Sequence, residues 1–277
     1  FPDTGDSPVR YFLGDVRDRE RLYRAFYGVD VVVHAAALKQ VPACEYNPFE
    51  AILTNVMGAK NVIDASIDCG VRRVMALSTD KAVNPINLYG ATKLCAEKLF
   101  VDGNQYVGSR ETRFSCARYG NVVASRGSVI PFFIEQRRNG RITVTDPAMS
   151  RFWITLEQGA RFVVRCIEEM HGGEIFVPKI PSMTILELSR TVAPDCEVDV
   201  IGSRPGEKTH EILVSEDEAR YTLELDDKFV ILPLGLERAS NRWPGSRPLR
   251  PGFRYASDTN PQQLTPEALT QLLGPLA

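Results

Sequence analysis

The stretch from Arg73 to Lys93 decides the fold, and it reads RVMALSTDKAVNPINLYGATK. Its apolar beginning, Arg73–Leu77, is typical of a buried β-strand, and helical periodicity starts at Leu88. Ser78 and Thr79 follow the strand directly. Because open α/β sheets bind ligands at the carboxyl ends of their strands, we expect both hydroxyls at a binding edge.

The same alternation of strand and helix extends on both sides of this stretch. It predicts an α/β fold with a Rossmann-type doubly wound parallel sheet, built from βαβ units. The run Val31-Val32-Val33 is apolar at consecutive positions, which is expected of a strand covered by helices on both faces. The other predicted strands are Val9–Leu13, Val29–His34 and Phe114–Tyr119, and the predicted helices are Asp18–Tyr27, Pro48–Cys69 and Leu88–Tyr106.

Beyond Gly120 the pattern changes. In the last third of the chain the periodic segments are shorter and proline is more frequent. We therefore predict a smaller, interleaved α/β substrate-binding lobe. Its predicted elements are helix Val129–Asn139, strand Ile142–Thr145 and helix Leu156–Met170, the last of which we expect to pack back on the main sheet. The predicted boundaries assign residues 1–120 and 151–170 to a dinucleotide-binding domain and residues 121–150 and 171–277 to the substrate-binding lobe.

A dinucleotide-binding sheet ordinarily begins with a strand, a glycine-rich turn and a helix whose N-terminus takes the pyrophosphate. No glycine cluster of this kind precedes Val9. We therefore expect the first βαβ unit to be absent from this chain, or the dinucleotide to be held in another way.

The composition excludes several classes of protein. With 277 residues and 44% hydrophobic content, the chain can bury a large core, and its 33 basic and 35 acidic residues do not favour nucleic acid as a partner. The six cysteines are widely spaced without a CxxC pair, so we predict no metal site and interpret them as buried thiols of a reducing compartment. No apolar run approaches the roughly 20 residues of a membrane helix. We expect a cytoplasmic protein that contacts a membrane only through a segment upstream of Phe1, should one exist.

Tyr89 and Lys93 are four residues apart at the start of a predicted helix, so their side chains share one face. A lysine ammonium beside a phenol favours the phenolate and lowers a tyrosine pKa that is ordinarily about 10. The spacing therefore predicts a tyrosine that serves as a base near neutral pH.

Together with Val31–Ala37, these residues resemble the extended short-chain dehydrogenases/reductases that act on nucleotide sugars. Asp80 and Lys81 narrow the resemblance, because retaining sugar dehydratases carry an acidic pair at these positions. The arrangement resembles the configuration-inverting UDP-N-acetylglucosamine 4,6-dehydratases. Further matches, in chain order, are Gly14–Asp18, Ala35–Lys39, Val41-Pro42, Glu45–Pro48, Arg118–Val122, Ser125–Pro131, Arg151–Thr155, His171–Lys179 and Arg204–Lys208.

The resemblance implies the residues of the site and its ligands. The implied catalytic residues are Thr79, Asp80, Lys81, Tyr89 and Lys93. The implied cofactor-binding residues are Asp15, Val16, Ala35, Ala36, Ala37, Lys39, Leu77, Ser78, Tyr89 and Lys93. The implied substrate-binding residues are Lys39, Lys81, Asn121, Val122, Ser128, Val129, Arg151, Arg204 and Glu207. The cofactor is expected to be NADP rather than NAD, the substrate a UDP-sugar, and the assembly a homo-oligomer, a dimer or a hexamer.

The resemblance also implies a hydro-lyase mechanism. Tyr89 takes the proton of the sugar 4-hydroxyl, and Lys81 then removes the C5 proton of the resulting ketone while Asp80 protonates the departing 6-hydroxyl. The expected product is a UDP-2-acetamido-2,6-dideoxy-L-arabino-4-hexulose, an early intermediate of pseudaminic-acid-type or related surface sugars. Lys81 must be neutral to act as a base, which requires a pKa well below its ordinary value of about 10.4.

Some features leave alternatives open. Ser203 and Thr209 stand where the family usually has Ile and Leu, which affects the role of Arg204. His34 and Trp153 are interpreted as packing residues. A nucleotide-sugar C4-epimerase needs Thr79, Tyr89 and Lys93 but has no use for Asp80 and Lys81, and a non-catalytic dinucleotide or sugar-nucleotide binding protein is the third possibility.

Overall fold

The computed structural model describes residues 9–125, 127–235 and 239–273, so Arg126 of the predicted substrate segment lies outside the described residues. The helices are α1 Arg19–Phe26, α2 Val41–Tyr46, α3 Pro48–Ile52, α4 Gly58–Cys69, α5 Leu88–Gly103, α6 Val129–Arg137, α7 Leu156–Glu169, α8 Ile185–Val192 and α9 Pro266–Leu273. The strands are β1 Val31–His34, β2 Arg73–Thr79, β3 Arg113–Tyr119, β4 Asn121–Val122, β5 Arg141–Val144, β6 Ser150–Ile154, β7 Ile175–Pro178, β8 Ser182–Thr184, β9 Glu197–Val200, β10 Ile212–Val214, β11 Thr222–Glu224, β12 Lys228–Ile231, β13 Arg247–Pro248 and β14 Tyr255–Ala256.

A seven-stranded sheet in the order β1-β2-β3-β7-β12-β11-β13 forms the centre of the molecule. Its first four strands are parallel, and β12, β11 and β13 extend it in antiparallel fashion. Side chains alternate between the two faces, so Val74 packs toward α4 and α5 on one face while Met75 packs toward α7 on the other. Helices therefore cover both faces, and the predicted doubly wound Rossmann-type class is confirmed.

Helix α7 contacts β2 and β3, which confirms the prediction that this segment packs back on the main sheet. Its amino end is fixed by a capping box, in which the Thr155 hydroxyl accepts from the Gln158 N–H and the Gln158 side chain accepts from the Thr155 N–H. Phe162 and Cys166 of α7 then bury against Phe176 of β7.

Two predictions about the first strands are wrong. Val9–Leu13 has the composition of a strand but forms none, and the Leu13 side chain is 94% exposed. In β1, only Val32 and His34 are buried, whereas Val31 and Val33 are half exposed. Strand β1 pairs with β2 and packs against α4 on the face of Val32 and His34, whereas no helix of the described part of the chain covers the face of Val31 and Val33.

A second core lies beyond β3. It is built from α6, α8 and α9 with β5 and β6, and its largest buried side chains include Phe133, Trp153 and Leu188. Trp153 is thus a packing residue, as predicted. The predicted substrate-binding range 171–277 is divided by the sheet topology, because β7, β11, β12 and β13 join the large sheet. The assignment of residue ranges to separate domains stays a prediction.

The cysteines only partly match their prediction. All six lie in the described ranges and are free thiols, but Cys95 is exposed and Cys69 and Cys196 are half-buried. His34 is buried, as predicted, and burial lowers its pKa to about 4, with a further contribution from the charge of Lys93. Among the described residues, no helix is both long and apolar enough to cross a membrane.

Candidate active site

The carboxyl end of β2 carries a short turn that gathers three of the predicted catalytic residues. A single 3₁₀ turn, Asp80–Ala82, follows the strand. The Thr79 hydroxyl donates to Asp80 Oδ1 at 2.9 Å, and Lys81 Nζ lies 3.0 Å from the same oxygen. Asp80 is fully buried, and its second oxygen, Oδ2, has no hydrogen-bond partner among the described residues. The turn therefore presents a hydroxyl, a carboxylate and an ammonium group at one point.

Helix α5 brings Tyr89 to this turn. Asn87 caps the helix by accepting from the Gly90 N–H at 2.7 Å. A Cβ atom added at Gly90 would collide with the carbonyl oxygen of Lys81, so the glycine permits the close approach of helix and turn. Tyr89 is buried there, and the nearby Thr79 side chain favours its ionised form.

The electrostatics of Tyr89 differ from the prediction. Burial raises its pKa, and the opposing effects of the Lys81 charge and the Thr79 side chain do not overcome this. Lys93, the expected partner, instead donates to the Leu77 carbonyl at 2.7 Å. Burial lowers the pKa of Lys93. Lys81 is thus a cation that favours the phenolate, and the same effect of Lys93 stays a prediction.

The pKa of Lys81 also differs from the expectation of a neutral amine. Burial lowers it, but the carboxylates of Asp80 and Glu211 together raise it above its ordinary value. Glu211 Oε1 lies 3.5 Å from Lys81 Nζ. With these contacts Lys81 is protonated at neutral pH, so it can act as a base only after it has passed on a proton.

Sequence reasoning missed Glu211, which is 2% exposed and immediately precedes β10. Its carboxylate lies 3.9 Å from Arg151 Nε and 3.6 Å from Lys208 Nζ, in addition to Lys81. Lys208 was noticed only as the end of the Arg204–Lys208 motif. No periodicity or spacing distinguishes Glu211, because its significance arises from contacts between distant parts of the chain.

Asn55 was missed as well, although the sequence could have suggested it as a polar residue inside an apolar helical pattern. A π-helical turn, Leu53–Met57, joins α3 to α4 and carries this buried side chain. Asn55 accepts from the Leu38 N–H and donates to both the Leu38 carbonyl and the Thr92 hydroxyl. It thereby ties the loop after β1 to helix α5.

The predicted cofactor residues surround the carboxyl ends of β1 and β2. Ala35, Ala36 and Lys39 are exposed and Ala37 is half-buried, so small side chains line this edge. The buried Ser78 hydroxyl has no hydrogen-bond partner within residues 9–125, 127–235 and 239–273. Leu77 is half-buried at the end of β2.

Asp15 and Val16 lie at the start of α1, on the outer side of α4. Side-chain and backbone hydrogen bonds from Arg17 lower the pKa of Asp15 to about 2. Val16 packs so closely on α4 that a Cβ at Gly58 would come within 2.7 Å of its Cγ2 atom. A role of either residue in cofactor binding stays a prediction.

The predicted substrate residues fall in two places. Asn121 and Val122 form β4 beside β6, and the half-buried Ser128 and Val129 begin α6. The Ser128 hydroxyl oxygen has no hydrogen-bond partner in the described ranges.

The remaining predicted substrate residues lie nearer the catalytic turn. Arg151 donates to the carbonyls of Ser150, Lys208 and Thr209. Arg204 is 57% exposed and Glu207 30% exposed, in a loop that receives a hydrogen bond from Asn87 at Gly206. These roles in substrate binding stay predictions.

Comparison with known proteins relates the chain to nucleotide-sugar enzymes. The family described as "Polysaccharide biosynthesis protein" matches residues 4–233. A protein of Campylobacter jejuni named UDP-N-acetylglucosamine 4,6-dehydratase (inverting) is 50% identical over 96% of this chain and 82% of its own. A Rickettsia conorii protein named UDP-glucose 4-epimerase is 45% identical over 80% of this chain and 67% of its own.

Solved structures agree with this relationship. Pen from Bacillus thuringiensis has 40% identity and a TM-score of 0.88, covering 97% of this chain and 83% of its own. A dTDP-glucose 4,6-dehydratase from Streptomyces venezuelae, DesIV, was solved with NAD bound and has a TM-score of 0.69 over 75% of this chain and 71% of its own. At 23% identity, the second likeness establishes the fold alone.

Proposed function

The chain belongs to the polysaccharide biosynthesis family that includes the inverting UDP-N-acetylglucosamine 4,6-dehydratases, and we propose that it catalyses the reaction for which those relatives are named. UDP-N-acetylglucosamine loses water between C5 and C6 and is inverted at C5. The observation that carries the proposal is the convergence of the half-buried Thr79 and Lys81 on the buried Asp80 and Tyr89, in a chain that is 50% identical to an inverting dehydratase.

The first step needs a base at the sugar 4-hydroxyl, and Tyr89 is the candidate. The Thr79 side chain and the Lys81 charge both favour its ionised form. A nicotinamide cofactor held at the carboxyl ends of β1 and β2 would supply the hydride-transfer chemistry at C4 and C6. Thr79 orients the phenol, and the burial of this site excludes water from the reacting groups.

The second step needs an acid and a base together, and Asp80 and Lys81 provide both after one proton transfer. In the structure Lys81 holds the proton, 3.0 Å from Asp80 Oδ1. Transfer along this hydrogen bond leaves Lys81 as a neutral amine, able to remove the C5 proton, and Asp80 as a carboxylic acid, able to protonate the departing 6-hydroxyl. Burial favours the neutral pair, and the charges of Asp80 and Glu211 oppose that effect.

The edge at β1 and β2 suits a dinucleotide in two respects. The alanines after β1 allow a close approach of backbone, and the buried Ser78 hydroxyl lacks a partner within the described part of the chain. Ala35, Ala36, Ala37, Leu77 and Ser78 would hold the cofactor there, with Lys93 beneath them. We propose NADP rather than NAD, and comparison of turnover with catalytic amounts of each tests this choice.

The decisive experiment incubates the protein with UDP-N-acetylglucosamine in deuterated water. We expect a product lighter by one water, with deuterium at C5 and inverted configuration there, detected by mass spectrometry and NMR. In Lys81→Met, we expect dehydration to fall about 100- to 10,000-fold, because a general base is removed. Unchanged turnover in this variant, or retained C5 configuration in the wild type, contradicts the proposal.

A C4-epimerase is the second candidate, and it is favoured by the 45% identity to a protein named UDP-glucose 4-epimerase. It leaves Asp80 and Lys81 without a chemical role, although both are held in the site. An epimerised product has the mass of the substrate, so the same mass measurement separates the two reactions.

We also propose a homo-oligomer. Tyr46, Phe49, Leu53 and Met57 are exposed apolar residues along the helical segment from α2 to α4. Exposed apolar surface of this kind marks protein interaction sites. Sedimentation of the protein, with Phe49→Glu as the disrupting variant, tests the assembly.

A further inference from the structure

Glu211 is the hub of a buried charge cluster that joins the second core to the catalytic turn. Its carboxylate lies within 4 Å of three cationic groups, those of Lys81, Arg151 and Lys208. All three contacts, at 3.5, 3.9 and 3.6 Å, are longer than a hydrogen bond. Glu211 Oε2 is buried and has no hydrogen-bond partner among the residues described. Its position thus allows exchange among partners.

The backbone of Glu211 is fixed, in contrast to its loosely held carboxylate. Its N–H donates to the Ser257 hydroxyl at 2.9 Å, and its carbonyl accepts from the Ser257 N–H. The preceding His210 is hydrogen-bonded through Nδ1 to the Ser150 hydroxyl at 2.8 Å. Lys208 is anchored as well, because its ammonium donates to the Val83 carbonyl at 2.6 Å. Movement within the cluster therefore falls to the side chain of Glu211, because Lys81 is also hydrogen-bonded, to Asp80 Oδ1 at 3.0 Å.

The cluster contains one more cation than anion. Asp80 and Glu211 face Lys81, Lys208 and Arg151, so three cations compete for two carboxylates. Arginine keeps its proton in proteins, which leaves Lys81 and Lys208 as the two groups that can release one.

We propose that Glu211 is a positioning residue that acts through Lys81, by holding the Lys81 ammonium in competition with Lys208 until Lys81 passes its proton to Asp80. The inference rests on the proposed function, in which Lys81 must become neutral before it removes a proton from substrate. When Lys81 gives up its proton, Glu211 keeps Lys208 and Arg151 as partners and is not left as an isolated buried charge. Burial lowers the pKa of Lys208, and Glu211 and Asp80 oppose that effect, which agrees with two lysines sharing the same carboxylates.

The test measures the neutral fraction of Lys81 in the full chain, without substrate. A trace of acetic anhydride acetylates only neutral amines, and peptide mass spectrometry compares Lys81 with the exposed Lys98. In Glu211→Gln, we expect the reactivity of Lys81 to rise about tenfold or more, because loss of a carboxylate within about 4–6 Å lowers a lysine pKa by about one unit or more. In Lys208→Met, the reactivity of Lys81 falls, since the competing cation is gone.

Opposite changes in the two variants distinguish charge sharing from simple loosening of the site, which would raise Lys81 reactivity in both. Glu216→Gln removes an exposed carboxylate from the same region, and we expect it to change the reactivity of neither Lys81 nor Lys98. If Glu211→Gln does not fold, the acetylation of Lys81 in Lys208→Met alone tests the inference. Unchanged or increased Lys81 reactivity in that variant overturns the inference.

The proposed function is tested separately by turnover. In a wild type that dehydrates the sugar, the rising limb of the pH profile of kcat should move to lower pH in Glu211→Gln, because Lys81 becomes neutral at lower pH. A wild type without turnover defeats the proposed function, whereas the acetylation of Lys81 still decides the role of Glu211.

Discussion

The molecule buries two ionic clusters that differ in how completely they are hydrogen-bonded. In one, Arg118 forms two hydrogen bonds with each of the carboxylates of Glu97 and Glu218, at 2.7 to 3.1 Å, and a fifth with the Leu213 carbonyl. In the other, around Glu211, the three ion pairs span 3.5 to 3.9 Å. Both join the large sheet to elements far along the chain.

The difference separates a structural ion cluster from a reactive one. All five N–H groups of Arg118 have acceptors, so its protonation is fixed, and Glu97 and Glu218 raise its pKa despite burial. The second cluster leaves Asp80 Oδ2 and Glu211 Oε2 without hydrogen-bond partners in the described ranges. Proton transfer from a lysine requires an acceptor beside it that is not already hydrogen-bonded. A buried acceptor without a partner also lowers the stability of the fold, and the first cluster avoids this loss because its groups are hydrogen-bonded.

The largest predicted effect comes from breaking the saturated cluster. Arg118→Met should lower the free energy of unfolding by about 3–5 kcal/mol, because it leaves two buried carboxylates without their cation. Urea denaturation followed by circular dichroism measures the loss. Lys208→Met, the corresponding change in the open cluster, should cost clearly less, since two cations remain there for two carboxylates.

The control for this comparison is an exposed pair. Arg161 and Glu157 are about three-quarters exposed and lie on one face of α7. Arg161→Met should change the free energy of unfolding by no more than about 1 kcal/mol. If Arg118→Met were as mild as this control, the saturated cluster would contribute no more than a surface ion pair.

The next effect concerns the backbone contact on which the open cluster depends. Gly90→Ala places a methyl group against the Lys81 carbonyl, so α5 or the catalytic turn must shift, at a cost of about 1–3 kcal/mol. The rate of dehydration should fall by more than the loss of folded protein accounts for, because Tyr89 moves relative to Thr79. Steady-state kinetics and urea denaturation measure the two effects.

Gly103→Ala is the matched control in the same helix. A Cβ there meets Ile63 and Phe114 at 3.5 Å, which is ordinary contact. Alanine is also the better helix former, so stability should stay the same or increase slightly. Equal losses in the two variants would show that the contact at Gly90 has no special importance.

The same two clusters show what the sequence could predict. The strand β2, the helix α5 and the catalytic turn between them were predictable, because periodicity and the spacing of Tyr89 and Lys93 are local properties. The sign of the Lys81 pKa shift was not, since it results from burial, Asp80 and Glu211 together, and Glu211 meets Lys81 only in the folded chain. The strand predicted at Val9–Leu13 failed for a related reason, as composition does not reveal which neighbours a segment will have.

The smallest predicted effect is a pH dependence that sharpens the comparison. Burial raises the pKa of Glu218, but Arg118 and Ser215 together lower it below its ordinary value, so its contribution to stability is present above about pH 4.5 and is lost as the pH falls through the lowered pKa. In Arg118→Met, the carboxylate of Glu218 loses this cation, and burial then raises its pKa. Protonation of this carboxylate therefore reduces the destabilisation of the variant as the pH falls.

The stability difference between wild type and Arg118→Met should therefore shrink between about pH 6 and pH 4, by about 1 kcal/mol or more. Urea denaturation at a series of pH values measures it. His34 becomes protonated on unfolding in the same pH range, with a folded pKa of about 4, but it contributes equally to both proteins and cancels in the difference. A difference that stays constant or grows toward pH 4 would mean that the charge of Arg118 does not stabilise the ionised carboxylates, and the contrast between the two clusters would then rest on geometry alone.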